Sequence, residues 1–439
     1  MLENWDWKID GWIVLSGGLC AVSAALLGNF LVLRRMSLMG DAISHAILPG
    51  LVGAFLVTGQ RNGVVMFAGA AAVGVLTVLL IEFARQFGRV DEGASIGVVF
   101  TFLFAVGLLL IVLAADRVDL DPSCVLYGIL ETAVIDDNIV WGRAIPRIVV
   151  NLSMVLVLNL VFVVGLFRAL KISTFDQQLA ASQGVPVVLL HYLLAAFVAI
   201  TAVASFESVG NILVVAMFVV PPASAWLLTD RLSVMVALSV VIAAASAVLG
   251  HLAAMEIPSW FGYRFSTNTA GMMAVAAGCI LVLCAFFAPR KGILPRAIRS
   301  LRLGIQILSE DVLAALYRAE QQGQPSLAAG TVRANLLVSG MRAMVVLAYL
   351  RWHGYVAQVS GQLSLAAKGR IVAQNTVRSH RLWEQYLASE AGFPESLLHE
   401  GAEWLEHFTN RTLRERLLAE TNAPDVDPHG QPIPPEAHD

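Results

Sequence analysis

The sequence predicts two successive helical parts: a polytopic membrane domain and, after it, a mainly α-helical soluble domain. Of the 439 residues, 57% are hydrophobic and only 14% are charged, whereas about a quarter of the residues are charged in an ordinary soluble protein. Apolar runs extend from about Trp12 to Ala288, and from Arg290 onward Arg, Glu, Gln and His become frequent. This change of composition predicts the boundary between the two domains.

Nine apolar segments are long enough, or nearly so, to cross a bilayer. The second is short, so we expect it to cross obliquely or to enter and leave on one side. In the seventh, the pair Pro221 and Pro222 predicts local unwinding. The segments lie near 12–33, 44–58, 64–84, 95–115, 146–167, 187–204, 210–228, 232–252 and 269–288.

Basic residues in the short loops predict the orientation of the membrane domain. If nine spans alternate, the loops richest in Arg and Lys all fall on one side, which is then cytoplasmic. The N-terminus is therefore expected outside and the C-terminal domain in the cytoplasm. The start, "MLENWDWKIDGW", has no basic n-region, which favours an N-terminal anchor helix over a cleaved signal peptide. The cytoplasmic basic residues are Arg34, Arg35, Arg85, Arg89, Arg168, Lys171, Arg231, Arg290 and Lys291.

Asp41 and His45 lie four residues apart where the second apolar segment begins. An ionisable pair at the mouth of a span is costly and is usually kept for a pathway or for mutual pairing. At this spacing the two side chains share a helix face and can converge on one ion. Carboxylate plus imidazole suits manganese, zinc or ferrous iron. On spacing alone, two other interpretations are equally open. The two residues only pair with each other, or Asp41 caps the helix beginning at Ala42.

The loop "RALKISTFDQQLAASQGVP", from Arg168 to Pro186, lies on the predicted cytoplasmic side. It holds a short amphipathic stretch that is ended by Gly184 and Pro186. For an arbitrary loop, a solvated connection between two spans is the better interpretation. The alternative is a coupling helix that docks into a cytoplasmic motor subunit.

The soluble part begins with a basic stretch, "KGILPRAIRSLRLG", and all four cysteines precede it, which excludes a cysteine-rich zinc site here. The order helix, helix, hairpin, long helix is typical of a winged-helix module with an appended helical region. Predicted helices lie near 309–322, 332–353, 365–390, 394–408 and 411–420, with the hairpin at "GYVAQVSGQLSL". The expected domains are a transmembrane domain at 1–289, a linker at 290–308, a degenerate winged-helix-like region at 309–370, and a helical region with a Pro-rich tail at 371–439.

Several motifs follow one another in the membrane part: "LLGNFLVLRRMSLMGDAISHAILPGLVGAFLVTG", "DPSCVLYGIL", "TFDQQLAASQGVP" and "ESVGNILVVAMFVVPPASAWLLT". With them, residues 12–288 closely resemble the permease subunits of ABC-type manganese/zinc/iron importers. The resemblance implies that Asp41 and His45 line the translocation path. It implies that the cytoplasmic loop contacts the ATPase subunit through Phe175, Asp176, Ala180 and Gly184.

The same resemblance implies the setting and the partners of the chain. We expect a multi-pass protein of the bacterial cytoplasmic membrane that works with a separate ABC ATPase, an external metal-binding lipoprotein, and a second copy or a sister permease. The chain has no phosphate-binding loop of the form GxxxxGK[ST], so we expect a transport subunit that is not itself an enzyme.

Two signatures of histidine and glutamate mark the soluble part. The first is H-x-x-x-E at His380 and Glu384, and the second is H-x-x-x-E-x-x-E-H from His399 to His407. At these spacings the ligands of each signature share one helix face, so two helices packed face to face would gather N and O donors without cysteine. A solvated acidic helix face is the alternative for any single pair.

With the tail "DPHGQPIP", these signatures resemble the metal-binding and dimerisation region of the diphtheria-toxin-repressor and manganese-regulator family, over about 309–434. The resemblance implies an ancillary site at Glu384 and His399. Manganese-type members have a second carboxylate where this chain has Ala314, so the primary site is expected to be one ligand short or completed by water. The implied primary ligands are His380, Glu403, Glu406 and His407, with Asp311 from the first helix.

The ligand set indicates Mn²⁺, or else Zn²⁺ or Fe²⁺, both as transported ion and as ligand of the soluble domain, and the oxygen ligand at Glu403 favours manganese modestly. DNA binding is not expected, because "GMRAMVVLAYLRWHGYV" offers few basic residues to phosphates and bases. The leading hypothesis is a permease whose soluble domain senses the metal. A membrane-tethered metal-dependent transcription regulator, and a permease with a tail that only dimerises, are the alternatives.

Overall fold

The computed structural model describes residues 5–36, 38–58, 63–88, 91–114, 130–134, 137–140, 143–262, 266–335 and 340–438. The chain forms two compact units, Met1–Pro295 and Arg296–Asp439. Much of the predicted outer loop that carries "DPSCVLYGIL" lies outside the described residues.

The first unit consists of helices and one short antiparallel hairpin. The hairpin pairs β1 (Asp137–Val140) with β2 (Arg143–Pro146). The helices are α1 (Asp10–Leu33), α2 (Met39–Ala46), α3 (Leu48–Thr58), α4 (Gly63–Gly88), α5 (Glu92–Ala114), α6 (Leu130–Ala133), α7 (Arg147–Gly165), α8 (Phe167–Phe175), α9 (Gln177–Ser182), α10 (Val187–Val209), α11 (Asn211–Leu228), α12 (Leu232–Trp260) and α13 (Thr269–Phe287).

Within the described residues, nine helical segments are long and apolar enough to cross a membrane, which confirms the predicted number. The second is Met39–Thr58, longer than the predicted segment because it joins α2 to α3. Pro49 lies in the first turn of α3, where its missing N–H costs no helical hydrogen bond. Gly50 meets α4 so closely that a Cβ there would lie 2.4 Å from the carbonyl oxygen of Gly69.

The core of this unit is built around α1, which packs against α7, α11 and α12. Two buried asparagines join helices by hydrogen bonds: Asn29 Nδ2 donates to Ser239 Oγ at 2.7 Å, and Asn159 Nδ2 donates to Thr201 Oγ1 at 2.8 Å. Such bonds hold helices together where apolar surface alone gives no preference for protein over lipid.

The prolines of the seventh span do not unwind it: α11 continues through Pro221 and Pro222. Pro222 has no N–H for the carbonyl of Phe218, one turn earlier. Gly28 of α1 lies against that carbonyl, and a Cβ at Gly28 would be 2.1 Å from its oxygen. The close approach of the two helices thus covers the point where the ladder of hydrogen bonds is interrupted.

The second unit has a small three-stranded antiparallel sheet, in the order β3-β5-β4, surrounded by helices. The stretch expected to be a linker at 290–308 is largely helical, because α14 starts at Ile293 and Pro295 falls in its first turn. The elements are α14 (Ile293–Gln321), β3 (Leu327–Ala328), α15 (Ala329–Asn335), α16 (Gly340–Trp352), β4 (Val356–Val359), β5 (Gln362–Leu365), α17 (Ala367–Ser389), α18 (Glu395–Glu406) and α19 (Arg411–Glu420).

The C-terminal tail folds back along α17. Arg378 Nη1 donates to the carbonyl of Pro434 at 2.5 Å, and Asn375 exchanges two hydrogen bonds with the backbone of Ala437. Glu436 forms a bidentate pair with Arg414 of α19. The tail therefore closes over the same helix that carries His380.

Candidate functional site

Asp41 and His45 lie on one face of α2, as their spacing predicts. His45 Nε2 is 3.4 Å from Asp41 Oδ1, and the two side chains are 27% and 40% exposed. The imidazole ring also contacts Phe100 and Phe104 of α5, with ring centroids 6.0 and 5.7 Å apart. Because α2 begins at Met39, Asp41 lies within its first turn and not at its N-cap, and its carboxylate faces His45.

A third polar residue, Asn211, reaches the same imidazole nitrogen. Its Nδ2 lies 3.2 Å from His45 Nε2, and the side chain is buried, with the residue 5% exposed. Gly210, at φ 84°, provides the sharp turn between α10 and α11 that puts Asn211 at the first position of α11. Sequence reasoning missed this residue, because no spacing relates position 211 to position 45.

The predicted coupling loop forms two short helices, α8 and α9. Asp176 caps α9, since its Oδ1 accepts a hydrogen bond from Leu179 N at 2.9 Å. Ala180 is buried, whereas Phe175 and Leu179 are 62% and 48% exposed. Gly184, at φ 77°, ends the turn after α9. The result is a short capped helix with an apolar exposed face, which remains a predicted contact for an ATPase.

In the second unit, His380 is the centre of the ligand cluster. Its Nδ1 lies 2.6 Å from Glu406 Oε2, and its Nε2 lies 3.0 Å from Glu384 Oε1 and 2.9 Å from His399 Nδ1. His399 Nδ1 is also 3.1 Å from Glu384 Oε1. His380, Glu384 and His399 thus form one group whose ligand atoms lie within 4.8 Å of one another. The resemblance placed His380 with the primary ligands, and the structure places it between both sets.

A second group contains Asp311, Glu406 and His407. His407 Nε2 lies 3.2 Å from Asp311 Oδ1 and 3.6 Å from Glu406 Oε1. Its other nitrogen, Nδ1, lies 2.7 Å from Glu310 Oε2. Sequence analysis did not select Glu310. This residue directly precedes Asp311 on α14, and it supplies a second carboxylate from this helix although Ala314 has none.

The electrostatics of both groups are those of paired buried ions. Burial lowers the pKa of His407, but hydrogen bonds to Asp311 and Glu310 outweigh it and raise the pKa to about 10. Burial also lowers the pKa of His380, and hydrogen bonds to Glu384 and Glu406 bring it above its ordinary value. Burial raises the pKa of Glu384, but hydrogen bonds and nearby positive charge, led by the hydrogen bond with His380, outweigh it and lower the pKa to about 2. Protons on His380 and His407 therefore hold the surrounding carboxylates together.

Two cavities, of about 360 and 260 Å³, open on the cluster from different sides, and His380 and His399 line both. The smaller also contains Asp311, Glu403 and Glu406 in its lining. Glu403 is exposed and joins neither group, so it lies at the edge of the predicted primary site. Buried carboxylates and imidazoles beside accessible space form a donor set that fits a divalent transition metal.

Two further residues that sequence reasoning missed come from the tail. Asp427 and His429 form a third group with Glu384, and His429 Nδ1 lies 3.6 Å from Glu384 Oε2. Asp427 is buried and accepts hydrogen bonds from the backbone N–H groups of His429 and Gln431. The quoted stretch "DPHGQPIP" contains both residues, so the tail was noticed while its donor atoms were not.

The helix before the hairpin, α16, is the stretch in which a winged-helix module would carry its recognition helix. Its exposed side chains include Met341, Met344, Val345 and Trp352, which are 78%, 56%, 47% and 87% exposed. A helix that reads DNA presents polar and basic side chains. That DNA is not a partner stays a prediction.

Both parts of the chain are similar to known proteins. Residues 11–288 match the ABC 3 transport family, and residues 366–435 match the iron dependent repressor, metal binding and dimerisation domain. The manganese transport system membrane protein MntD of Bacillus subtilis is 43% identical over 67% of this chain and 98% of its own length. The zinc transport system membrane protein TroD of Treponema pallidum is 34% identical over 82% of this chain and 97% of its own length.

Among solved structures, PsaBC from Streptococcus pneumoniae, in complex with a Fab, superposes with a TM-score of 0.52 at 27% identity. The match covers 66% of this chain and 95% of the other. The repressor-type match begins at residue 366 and so contains α17, α18 and the tail, which carry all the cluster residues except Asp311 and Glu310. The chain therefore belongs to the ABC 3 transport family, as a multi-pass membrane protein with a repressor-type metal-binding and dimerisation region after its last membrane helix.

Proposed function

We propose that this chain is the membrane permease subunit of an ABC importer for a divalent transition metal, manganese in the first place and zinc or iron otherwise. The observation that carries the proposal is the carboxylate–imidazole pair of Asp41 and His45, held 3.4 Å apart inside the membrane unit and still partly exposed. Such a pair is costly in a span and is usually kept for an ion pathway or for mutual pairing. Incomplete burial and few ligands suit an ion that must also leave.

The partners follow from the same proposal. ATP hydrolysis belongs to a separate ATPase that docks on α8 and α9, where exposed Phe175 at the end of α8 and Leu179 of α9 supply the apolar contact. An external metal-binding lipoprotein delivers the ion, and a second permease, identical or related, completes the pathway. In this arrangement the N-terminus is outside and the second unit is cytoplasmic.

The second unit acts as the metal sensor of the permease. When bound, the ion would be held by His380, Glu384 and His399 in one group and by Asp311, Glu406 and His407 in the other, and it would link α14, α17 and α18. It supplies positive charge that replaces the imidazole protons between these carboxylates. We propose that this binding restrains transport when the metal accumulates.

The same region also offers a surface for self-association. Along α18 and the two residues after its end, the exposed apolar side chains are Leu397, Trp404, Leu405 and Phe408. An apolar face of this kind is typical of a dimer contact. Two copies of the second unit would then associate through this face.

The experiment is metal uptake in cells that lack their own importer and that carry this chain with its ATPase and binding protein. Uptake of Mn²⁺, Zn²⁺ and Fe²⁺ is compared in parallel for the wild type and for a double variant with Asp41→Ala and His45→Ala. We expect uptake of the preferred ion to fall to the background while the protein level in the membrane stays the same. Unchanged uptake in that variant would overturn the proposal.

A matched control removes another carboxylate–imidazole pair of the membrane unit. His251 Nε2 lies 3.1 Å from Asp10 Oδ1, between α12 and α1. Replacing both by Ala removes the same two groups from another place in the unit. We expect uptake per membrane-inserted molecule to be retained in this control.

A further inference from the structure

Three atoms of different residues converge on one point beside α2. His45 Nε2 lies 3.4 Å from Asp41 Oδ1 and 3.2 Å from Asn211 Nδ2. Asp41 and His45 come from α2, while Asn211 begins α11, so two separate elements of the membrane unit meet here. Phe100 and Phe104 border the imidazole on another side.

Nε2 of His45 faces two polar groups at once, the carboxylate of Asp41 and the amide of Asn211. With the amide oxygen turned towards it, Nε2 could share one proton between the two oxygens. A divalent cation could occupy the same place, with the lone pair of Nε2, the carboxylate and the amide oxygen as its ligands.

The amide of Asn211 has an oxygen to contribute. Its Oδ1 is buried and has no hydrogen-bond partner among the described residues. A half-turn of the amide plane exchanges Oδ1 and Nδ2, which brings the oxygen to the place where Nδ2 now faces His45. An amide oxygen is a hard, neutral ligand, of the kind that suits manganese better than zinc.

We propose that Asn211 is the third protein ligand of the transported ion, binding through Oδ1 beside Asp41 and His45, and that this oxygen favours Mn²⁺ over Zn²⁺. The inference rests on the proposed transport function and names a specificity residue for it. A neutral third ligand adds affinity without a further charge, so the ion is recognised and still released.

A purely structural role for Asn211 makes a different prediction. If the amide only orients His45, its loss weakens the uptake of every ion by the same factor. If the oxygen is a ligand, the uptake of Mn²⁺ falls more than the uptake of Zn²⁺, because imidazole dominates the remaining site. The ratio of the two uptake rates separates these roles.

The test uses the full chain with its ATPase and binding protein and measures ⁵⁴Mn and ⁶⁵Zn uptake at limiting concentrations, each corrected for protein in the membrane. For Asn211→Ala we expect about a tenfold loss of Mn²⁺ uptake, the effect of roughly one lost contact, and a several-fold smaller Mn²⁺-to-Zn²⁺ ratio. Asn211→Asp keeps an oxygen at the same place and should keep the ratio near that of the wild type. It also carries the test if the alanine variant fails to insert.

Asn159→Ala is the matched control, since Asn159 is another buried asparagine whose Oδ1 has no described hydrogen-bond partner but whose amide faces Thr201. We expect the ratio of Mn²⁺ to Zn²⁺ uptake in Asn159→Ala to equal that of the wild type. Wild-type uptake and ratio in Asn211→Ala, or equal losses for both ions in the alanine and aspartate variants, would overturn the inference. If the variant lacking Asp41 and His45 still transports, the proposed function itself fails, and the two failures are thus distinguishable.

Discussion

The two regions with candidate metal ligands differ in how fully their polar groups are paired. In the membrane unit, Asp41 and His45 touch at 3.4 Å and stay 40% and 27% exposed. In the second unit, His380, Glu384 and Glu406 have side chains that are 3–5% exposed and joined at 2.6–3.0 Å. The first site has few ligands, which are partly exposed, whereas the second has several closely paired ligands, of which these three are buried.

This difference follows from what each region is proposed to do. An ion in transit must be bound and released, so few ligands of modest strength are sufficient. An ion that is sensed has to displace protons and lock helices together, so several preorganised ligands are needed. Burial without pairing would cost free energy in either place, and in the second unit His380, Glu384 and Glu406 have partners for the polar groups that they bury.

The largest expected effect comes from removing ligands of the second group. Replacing Glu406 and His407 by Ala should lower the affinity of the second unit for Mn²⁺ by about a hundredfold or more, since two of its ligands are lost. Binding is measured on the purified full chain that also carries Asp41→Ala and His45→Ala, so that only the second unit binds.

In cells, the variant with only Glu406→Ala and His407→Ala should keep normal uptake at low metal concentration. It should lose the repression of uptake at high metal concentration. Glu415→Gln, an exposed carboxylate paired with Arg411, is the control. Repression that persists in the Glu406/His407 variant would contradict the sensor role.

Next in size is the change Glu310→Gln. Glu310 Oε2 holds His407 Nδ1 at 2.7 Å and so directs Nε2 towards Asp311. Losing a carboxylate that orients a histidine ligand typically lowers metal affinity by about tenfold. Titration of the same purified full chain with Mn²⁺ checks this value, and Glu320→Gln on the same helix is the control. An unchanged affinity would mean that Glu310 has no positioning role.

Proton competition at the site of the second unit should give a somewhat smaller change in metal affinity for each unit of pH. The pKa of His407 is raised to about 10 without metal, so at neutral pH the metal has to displace its proton. The affinity should therefore increase with pH, by up to about tenfold per unit for each proton displaced, and level off near pH 10. Proton release on binding, measured by calorimetry in two buffers, checks the sign. Affinity that falls as pH rises would contradict it.

The smallest expected effect concerns the tail that covers the cluster. A hydrogen bond from Arg414 is the main reason why the pKa of Glu436 is lowered. Its ion pair therefore contributes stability above the ordinary carboxyl pKa, and this stability is lost as pH falls through the lowered value. Glu436→Gln should cost about 1 to 2 kcal/mol of that stability near pH 7 and much less at low pH. Thermal unfolding of the purified chain at both pH values measures the difference.

The nine spans and the residue types at both sites were predictable because they depend on local features. A run of about 20 apolar residues has to cross a bilayer wherever it lies in the chain, and helix spacing alone puts Asp41 beside His45. The stretch predicted as a linker contains the start of α14, and Pro295 lies in the first turn, where its missing N–H costs no helical hydrogen bond.

What the sequence determined by itself is therefore the division into a membrane part and a polar part, the number of spans, and the ligands paired within one helix. Only the tertiary structure decided which distant residues join them: Asn211 beside His45, Glu310 behind His407, and Asp427 and His429 beside Glu384. The reason is physical. Spacing along one helix is fixed by its 3.6-residue turn, whereas contacts between elements depend on how whole helices pack, and that information is spread over the entire core.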